Sequence, residues 1–138
     1  MKVFIDTNIL IYAMDEDEPA KRDRCRELLT SLSIAPHSPQ GVLSTQVLQE
    51  TFVASTRKLG VEPLKARGVL QSLQALEIVT ITPELIFTAI ECSHFDQLSF
   101  WDALIVTAAV YAGCDVIWTE DLNAGQLIRG VRIKNPLL

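Results

Sequence analysis

Short apolar runs alternate with longer amphipathic stretches along this chain, which predicts alternating strands and helices. Residues 3–5 form a β-branched and aromatic run that is typical of a buried strand, and residues 116–118 repeat this pattern. Further strands are predicted at 41–44, at 77–81 and at 131–134, with the last of them at an edge of the sheet.

Helices are predicted between these strands from apolar spacing, capping residues and proline in the first turn. They cover 7–14, 19–32, 45–59, 63–76, 83–95 and 99–112, whereas 36–39 is predicted to be a loop. Strands that alternate with helices imply a mainly parallel sheet with helices on both faces. The predicted fold class is therefore α/β, a three-layer α/β/α sandwich, and the 138 residues are expected to form one domain spanning 1–138.

The composition excludes several classes of protein. With 49 % hydrophobic and 21 % charged residues, the chain lies far from the composition of disordered proteins. Its three cysteines are widely spaced without a C-x-x-C pair, which favours reduced thiols and a cytoplasmic protein over a disulfide framework or a zinc site. Since no run approaches ~18 apolar residues and Asp6 interrupts the N-terminal segment, neither a membrane span nor a signal peptide is expected.

Four acidic residues occupy positions that suggest chemistry. Asp6 directly follows the first predicted strand and Asp121 follows the strand at 116–118, and ligands of parallel sheets bind beyond such strand ends. Glu50 falls within the apolar arc of its helix, where a buried carboxylate would need a partner. Asp102 opens a helix that is apolar nearly all round, so its side chain can face protein as readily as water.

Each of these acids also has an ordinary structural explanation. Asp6 could cap the following helix, Asp102 could be the acid of a capping box begun by Ser99, and Asp121 could start a turn. Glu50 could be solvated or belong to a buried ion pair. A site for a divalent cation accounts for all four together, because Mg²⁺ prefers carboxylate and other hard oxygen ligands.

The net charge of −5 argues against a protein that holds nucleic acid through bulk positive charge. If four acids belong to a metal site, the remaining charge is −5 + 4 = −1, which is close to balance. A nucleic-acid enzyme with a concentrated acidic centre is therefore compatible with the composition.

Four segments, in chain order, resemble the signature blocks of the PIN domain family. They are Phe4-Ile5-Asp6-Thr7-Asn8-Ile9-Leu10, Val47-Leu48-Gln49-Glu50, Phe100-Trp101-Asp102-Ala103-Leu104-Ile105 and Trp118-Thr119-Glu120-Asp121-Leu122. The chain length and the tail from Gly130 to Pro136 are similar in particular to those of VapC-type ribonuclease toxins of toxin–antitoxin pairs.

This resemblance implies a metal-dependent endoribonuclease that leaves a 3′-hydroxyl and a 5′-phosphate. The implied cofactor is Mg²⁺, with Mn²⁺ as a substitute, and the implied partners are an RNA substrate, a small antitoxin lying over the site and a second copy of the chain. Whether the neighbouring Glu120 shares the role of Asp121 stays open. The implied metal ligands are Asp6, Glu50, Asp102 and Asp121, of which Asp6 and Asp102 are the most direct, with Asn8 and Thr119 orienting them.

Two other functions compete with this hypothesis. A catalytically silent PIN-like module that binds RNA or protein is the main alternative, although a decayed site should have lost at least one of the four acids. Aspartyl-phosphate chemistry would need a second acid close to Asp6 and a late lysine. Thr7 and Asn8 follow Asp6 instead, and no lysine comes directly after residues 116–118.

Several basic and aromatic residues stay ambiguous. The cluster at 21–26, like Arg57 and Lys58, could form a solvated helix face or contact the RNA backbone. Trp101 and Trp118 flank the acids and are interpreted as core or interface residues rather than platforms for base stacking. The helices at 45–59 and 63–76 could hold an antitoxin helix or a dimer contact.

Overall fold

The fold is built on one six-stranded sheet. The computed structural model describes residues 1–32 and 37–138, so the start of the predicted loop, Pro36, lies outside the described residues. The strands are β1 (Lys2–Ile5), β2 (Gln40–Ser44), β3 (Glu77–Val79), β4 (Val116–Trp118), β5 (Leu127–Ile128) and β6 (Val131–Lys134). Their order is β3-β2-β1-β4-β6-β5, and every pair is parallel except β5 with β6.

The helices begin where capping residues and prolines predict. They are α1 (Thr7–Ala13), α2 (Pro19–Thr30), α3 (Thr45–Arg57), α4 (Pro63–Ser72), α5 (Pro83–Asp96) and α6 (Phe100–Tyr111). A 3₁₀ turn, Leu73–Ala75, follows α4. Of the helices in the described ranges, none has the length and apolar character needed to cross a membrane.

Helices cover both faces of the sheet. Val3, Phe4 and Ile5 of β1 are all 0 % exposed, as a central strand with both faces covered requires. α1 packs against α2 and α3, α3 packs against α4, and α5 packs against α6, which also contacts β2, β4 and β6. The predicted α/β/α sandwich with a mainly parallel sheet is confirmed.

The prediction that residues 131–134 form an edge strand is wrong. β6 lies between β4 and β5, and β5 forms the edge by antiparallel pairing, with Ile128 opposite Val131. Arg129 and Gly130 join the two strands with φ angles of 49° and 87°, the left-handed conformation of tight hairpin turns. A strand of two residues is too short to leave an alternating pattern in the sequence.

The sheet order creates a crevice beside β1. From β1 the chain continues to β2 and β3 on one side, and it returns to the opposite side of β1 to form β4. The backbone N–H of Asp6 donates to the carbonyl of Trp118 at 3.0 Å, which ties the carboxyl ends of β1 and β4 together. Such a change of direction is where open α/β sheets bind their ligands.

Candidate functional site

An open cleft of about 860 Å³ lies at the carboxyl ends of β1 and β4. Residues of α1, α3, the first turns of α6 and the segment after β4 line it. All four acids predicted as metal ligands are in this lining: Asp6, Glu50, Asp102 and Asp121. The fold thus brings four separate segments of the chain to one cleft, and the roles of these acids stay predictions.

Asp6 is the most buried of the four acids, with 6 % of its surface exposed. Its Oδ1 accepts from the backbone N–H of Thr7 at 2.7 Å, so the helix-cap interpretation is correct, while its Oδ2 accepts from the Thr119 hydroxyl at 2.8 Å. Burial raises the pKa of Asp6 to about 6. The two hydrogen bonds oppose this rise, and the nearby carboxylates of Asp121 and Glu50 add to it.

Asn8 and Thr119 connect Asp6 with Asp121. The Asn8 amide donates to Asp121 Oδ2 at 3.1 Å and to Thr119 Oγ1 at 3.2 Å, and it accepts from the backbone N–H of Glu120 at 3.2 Å. The buried Thr119 hydroxyl also accepts from the backbone N–H of Asp121 at 3.1 Å. Both residues therefore contact the acids that they are predicted to orient.

Glu50 lies on an exposed part of α3, which differs from the expectation that its arc is buried. Val47 is 0 % exposed but Val53 is 47 % exposed, because the C-terminal half of the apolar arc faces the cleft and not the core. Glu50 Oε1 accepts from the Thr7 hydroxyl at 3.3 Å. Partial desolvation raises the pKa of Glu50. Hydrogen bonds with Thr7 and Gln46 oppose this rise, and the carboxylates of Asp102 and Asp121 add to it.

Asp102 presents a free carboxylate in the first turn of α6. Its backbone N–H donates to the Ser99 hydroxyl at 3.1 Å, which is one half of a capping box. Across the described ranges, its carboxylate accepts no hydrogen bond and forms no salt bridge, so the reciprocal half of the box is missing. The carboxylate is therefore available to a ligand in the cleft.

The structure separates the environments of Glu120 and Asp121. Glu120 accepts from the Tyr12 hydroxyl at 2.7 Å and from Lys21 Nζ at 3.2 Å, and this ammonium lies 4.5 Å from the centre of the Tyr12 ring. The charge of Glu120 is thus balanced by Lys21, whereas the Asp121 carboxylate accepts from the neutral Asn8 amide and forms no salt bridge with any described residue. No local sequence signal pointed to Tyr12 and Lys21, which are 108 and 99 residues from Glu120.

Comparison with known proteins identifies the family. A family model described as "PIN domain" matches residues 3–127. The chain belongs to the PIN domain family. A search of curated proteins found no match to this PIN domain.

Solved structures share its fold. VapC20 of Mycobacterium tuberculosis, described as a sarcin-ricin loop cleaving toxin, is 20 % identical with a TM-score of 0.67, covering 86 % of this chain and 91 % of that one. A toxin–antitoxin complex from Klebsiella pneumoniae is 20 % identical with a TM-score of 0.69, covering 97 % of each chain. VapBC2 from Rickettsia felis, bound to a promoter DNA fragment, is 18 % identical with a TM-score of 0.65, covering 97 % and 98 %.

Gln46 is a residue of this PIN domain's cleft that the sequence analysis missed. It is 4 % exposed, and its Nε2 donates to the carbonyl of Trp101 at 3.2 Å. Its Oε1 is buried and has no partner among the described residues. An unsatisfied buried acceptor in a cleft wall fits a ligand that brings a donor or a positive charge. Its position four residues before Glu50, on the same helix face, was the available sequence signal.

The two tryptophans differ in their surroundings. Trp118 is 6 % exposed and belongs to the core, as expected. Trp101 is 62 % exposed and lines the cleft, so of the two expected places, core or interface, the core is wrong and an interface stays a prediction. It opens α6, whose following residues 103–109 are all buried, and its own position in the first turn projects beyond the covered part of that helix.

The donor chemistry fits a hard divalent cation, although the side chains stand apart. The four predicted acids line one cleft together with Glu120 and Gln46, and the buried Oε1 of Gln46 has no partner among the described residues. Within 1–32 and 37–138, no three His, Cys, Asp or Glu side chains are grouped so as to hold a metal ion. Like charges repel, and three of the carboxylates are held by hydrogen bonds to Thr7, Asn8 and Thr119. Binding would therefore need side-chain rotation toward the ion.

Proposed function

We propose that this PIN domain is a divalent-metal-dependent endoribonuclease that hydrolyses RNA phosphodiester bonds as the toxin of a toxin–antitoxin pair. The observation that carries the proposal is that acidic side chains from four remote segments line one cleft at the carboxyl ends of β1 and β4. The similarity of its fold to that of VapC20, described as a sarcin-ricin loop cleaving toxin, supports the proposal. In this proposal residues 1–138 act as one domain in the cytoplasm.

Asp6 and Asp102 are the proposed direct ligands of Mg²⁺ or Mn²⁺, with Glu50 and Asp121 binding directly or through water. When bound, such an ion supplies an activated water and positive charge beside the scissile phosphate. Asn8 and Thr119 keep Asp6 and Asp121 oriented through the hydrogen bonds described above. Tyr12 and Lys21 hold the Glu120 carboxylate in hydrogen bonds, which supports Asp121 as the proposed fourth ligand.

An antitoxin is the proposed inhibitor. The similar structures include toxin–antitoxin complexes from Klebsiella pneumoniae and Haemophilus influenzae. Beside the cleft, a groove of about 320 Å³ between α3 and α4 is lined mainly by apolar side chains, among them Leu48, Phe52, Leu64 and Leu70. An amphipathic antitoxin helix would bury these side chains, as helices do in apolar grooves.

A second copy of the chain is the other proposed protein partner. Phe87, Ile90 and Phe95 of α5 are 65 %, 51 % and 74 % exposed, and Tyr111 of α6, the helix packed against α5, is 71 % exposed. Exposed apolar side chains grouped on neighbouring helices are typical of surfaces that contact protein. Dimerisation through α5 and α6 would leave the cleft between α1 and α3 open.

The decisive test is cleavage of a labelled RNA with Mg²⁺ or with EDTA. We expect wild type to cut only with the ion, and Asp6→Asn to cut at least ~100-fold more slowly, since even residues behind the ligands contribute 10–100-fold. Asp17→Asn, an exposed acid outside the cleft, should cut like wild type.

Equal cutting by wild type and Asp6→Asn would refute the assignment of this site. Absence of metal-dependent cutting by any protein would refute the nuclease and favour the silent RNA- or protein-binding module. Expression in cells should arrest growth, and co-expression of a small protein encoded beside this chain should relieve the arrest.

A further inference from the structure

The cleft residues outside the proposed metal chemistry include one indole and two cations, namely Trp101, Arg57 and Lys58. We propose that they form a binding site for unpaired RNA. Trp101 stacks on an exposed base next to the scissile phosphate, and Arg57 and Lys58 hold backbone phosphates farther along α3. The inference rests on the proposed function, and what it adds is base stacking by Trp101 and phosphate binding by Arg57 and Lys58.

Trp101 is exposed but held in place. Its indole is 62 % exposed in the wall of the cleft, and the next residue is the acid Asp102. Gln46 fixes its backbone carbonyl at 3.2 Å, and its ring meets Phe100 edge to face with centroids 5.1 Å apart. A preorganised aromatic surface beside a phosphate-cleaving centre suits base stacking, which is worth about 1–3 kcal/mol per base.

One face of α3 changes from acidic to basic along the cleft. Glu50, Val53 and Arg57 are spaced at i, i+3 and i+7, so they lie on one side of the helix, and all of them line the cleft. At 1.5 Å per residue, Arg57 is about 10 Å along the helix axis from Glu50. The face therefore presents a metal-ligand candidate, then an apolar surface, then a cation.

Arg57 and Lys58 are the cations among the residues that line the cleft. Both are exposed, and neither forms a salt bridge or a side-chain hydrogen bond with any other described residue. In contrast, Lys21 and Arg22 on α2 are paired with acids. Two uncompensated cations in an otherwise acidic cleft fit the phosphates of a polyanion.

Together these features favour a single strand over a duplex. The cleft combines exposed indole, apolar side chains such as Ile11, Val53 and Ile105, and cations at one end. Single strands offer both unstacked bases and phosphates to such a surface. Bases within an A-form duplex are already stacked and paired, so they cannot stack on Trp101.

Intrinsic fluorescence gives a direct test, because Trp118 is 6 % exposed and Trp101 is the accessible indole. Asp6→Asn protein, which prevents cutting, is titrated with an adenosine RNA decamer, with the same decamer carrying abasic spacers, and with an RNA duplex. We expect quenching by the adenosine decamer and about 5- to 100-fold weaker binding of the abasic decamer and of the duplex.

Substitutions in the same background separate stacking from charge. Since both variants lack the reporting indole, their affinities are measured by the anisotropy of a dye-labelled decamer. Trp101→Ala should lower affinity for the adenosine decamer to that for the abasic one, whereas Trp101→Phe should keep most of the affinity. Arg57→Gln and Lys58→Gln should each reduce the slope of log affinity against log salt by about 0.7. Lys65→Gln, an exposed lysine of α4 outside the cleft, should leave the slope unchanged.

Equal affinity for the adenosine and abasic decamers would overturn the stacking proposal. So would a Trp101→Ala protein that binds RNA normally but loses an antitoxin, which would make Trp101 a protein contact. The nuclease proposal is judged separately by cleavage with wild type. Metal-dependent cutting without base-dependent binding refutes only this inference, and base-dependent binding without cutting refutes only the nuclease.

Discussion

Replacing Asp6 with asparagine should stabilise the metal-free protein while it removes the proposed activity. Asp6 is 6 % exposed and is ionised at neutral pH in surroundings that favour the neutral acid. Its pKa is about 6 in the folded protein against an ordinary value of 3.8, so the native state binds the proton more tightly than the unfolded chain does.

The sign and size of the effect follow from this difference. As the pH rises from 3.8 to 6, the folded state loses stability relative to the unfolded state, and the loss is complete above pH 6. About 2 pKa units correspond to roughly 3 kcal/mol, of which about 2 kcal/mol develop between pH 4.5 and 7.5. Asparagine avoids this cost but gives up the bond from the Thr119 hydroxyl, worth about 1 kcal/mol.

We therefore expect Asp6→Asn to be about 1–2 kcal/mol more stable than wild type at pH 7.5 in EDTA, and no more stable at pH 4.5. Urea unfolding followed by circular dichroism would detect this as a midpoint shift of about 0.5–1 M. Asp17→Asn removes the same charge from an exposed position and should change stability by less than about 0.5 kcal/mol. Added Mg²⁺ should stabilise wild type and not Asp6→Asn.

The reasoning fails if Asp6→Asn is no more stable than wild type at pH 7.5. It also fails if the gain is the same at both pH values, since an effect of the buried charge must follow its titration. A gain of equal size in Asp17→Asn would point to net charge rather than burial.

Other predictions test separate parts of the molecule. Asp102→Asn should lower metal-dependent cutting by at least ~100-fold while leaving the urea midpoint near that of wild type, because its carboxylate has no partner in the described chain; a large loss of stability would contradict this. A thiol reagent at pH 8 should modify the cysteines only after unfolding, since all three are buried and burial raises the pKa of Cys25 to about 11 and that of Cys114 to about 12. Phe87→Glu should convert the dimer proposed for α5 and α6 to a monomer in analytical ultracentrifugation. Phe87 is 65 % exposed, so this change leaves the buried core, which includes Phe4, intact. An unchanged dimer would place the interface elsewhere.

Local sequence patterns predicted most elements and the general location of the site. The helix starts could be predicted from residues within one turn of each start. These residues are the prolines that begin α2, α4 and α5, and N-caps such as Ser44 and Ser99. Because carboxyl ends of parallel strands meet at one sheet edge, an acid after β1 and another after β4 were enough to predict a common site. The apolar settings of Glu50 and Asp102 on their helices added these two acids, and the resemblance to the PIN domain then implied that all four are metal ligands.

The exposure of individual side chains depended on how the helices pack against one another, and the sequence of a single helix does not predict this. The apolar arc of α3 was expected to be buried throughout, yet α1 and α6 leave its C-terminal half, including Val53, open to the cleft. Trp101 is exposed for a related reason, since the first turn of α6 extends beyond the elements that cover residues 103–109 of that helix.

The sequence by itself determined most of the segments that become strands and helices, with the two-residue β5 as an exception, since propensity, capping and apolar spacing act over a few residues. The tertiary structure alone decided which distant side chains meet. It paired Glu120 with Tyr12 and Lys21, placed Gln46 against Trp101, and made β5 the edge of the sheet in place of β6. Contacts across a hundred residues depend on the packing of the whole chain, and no local pattern encodes them.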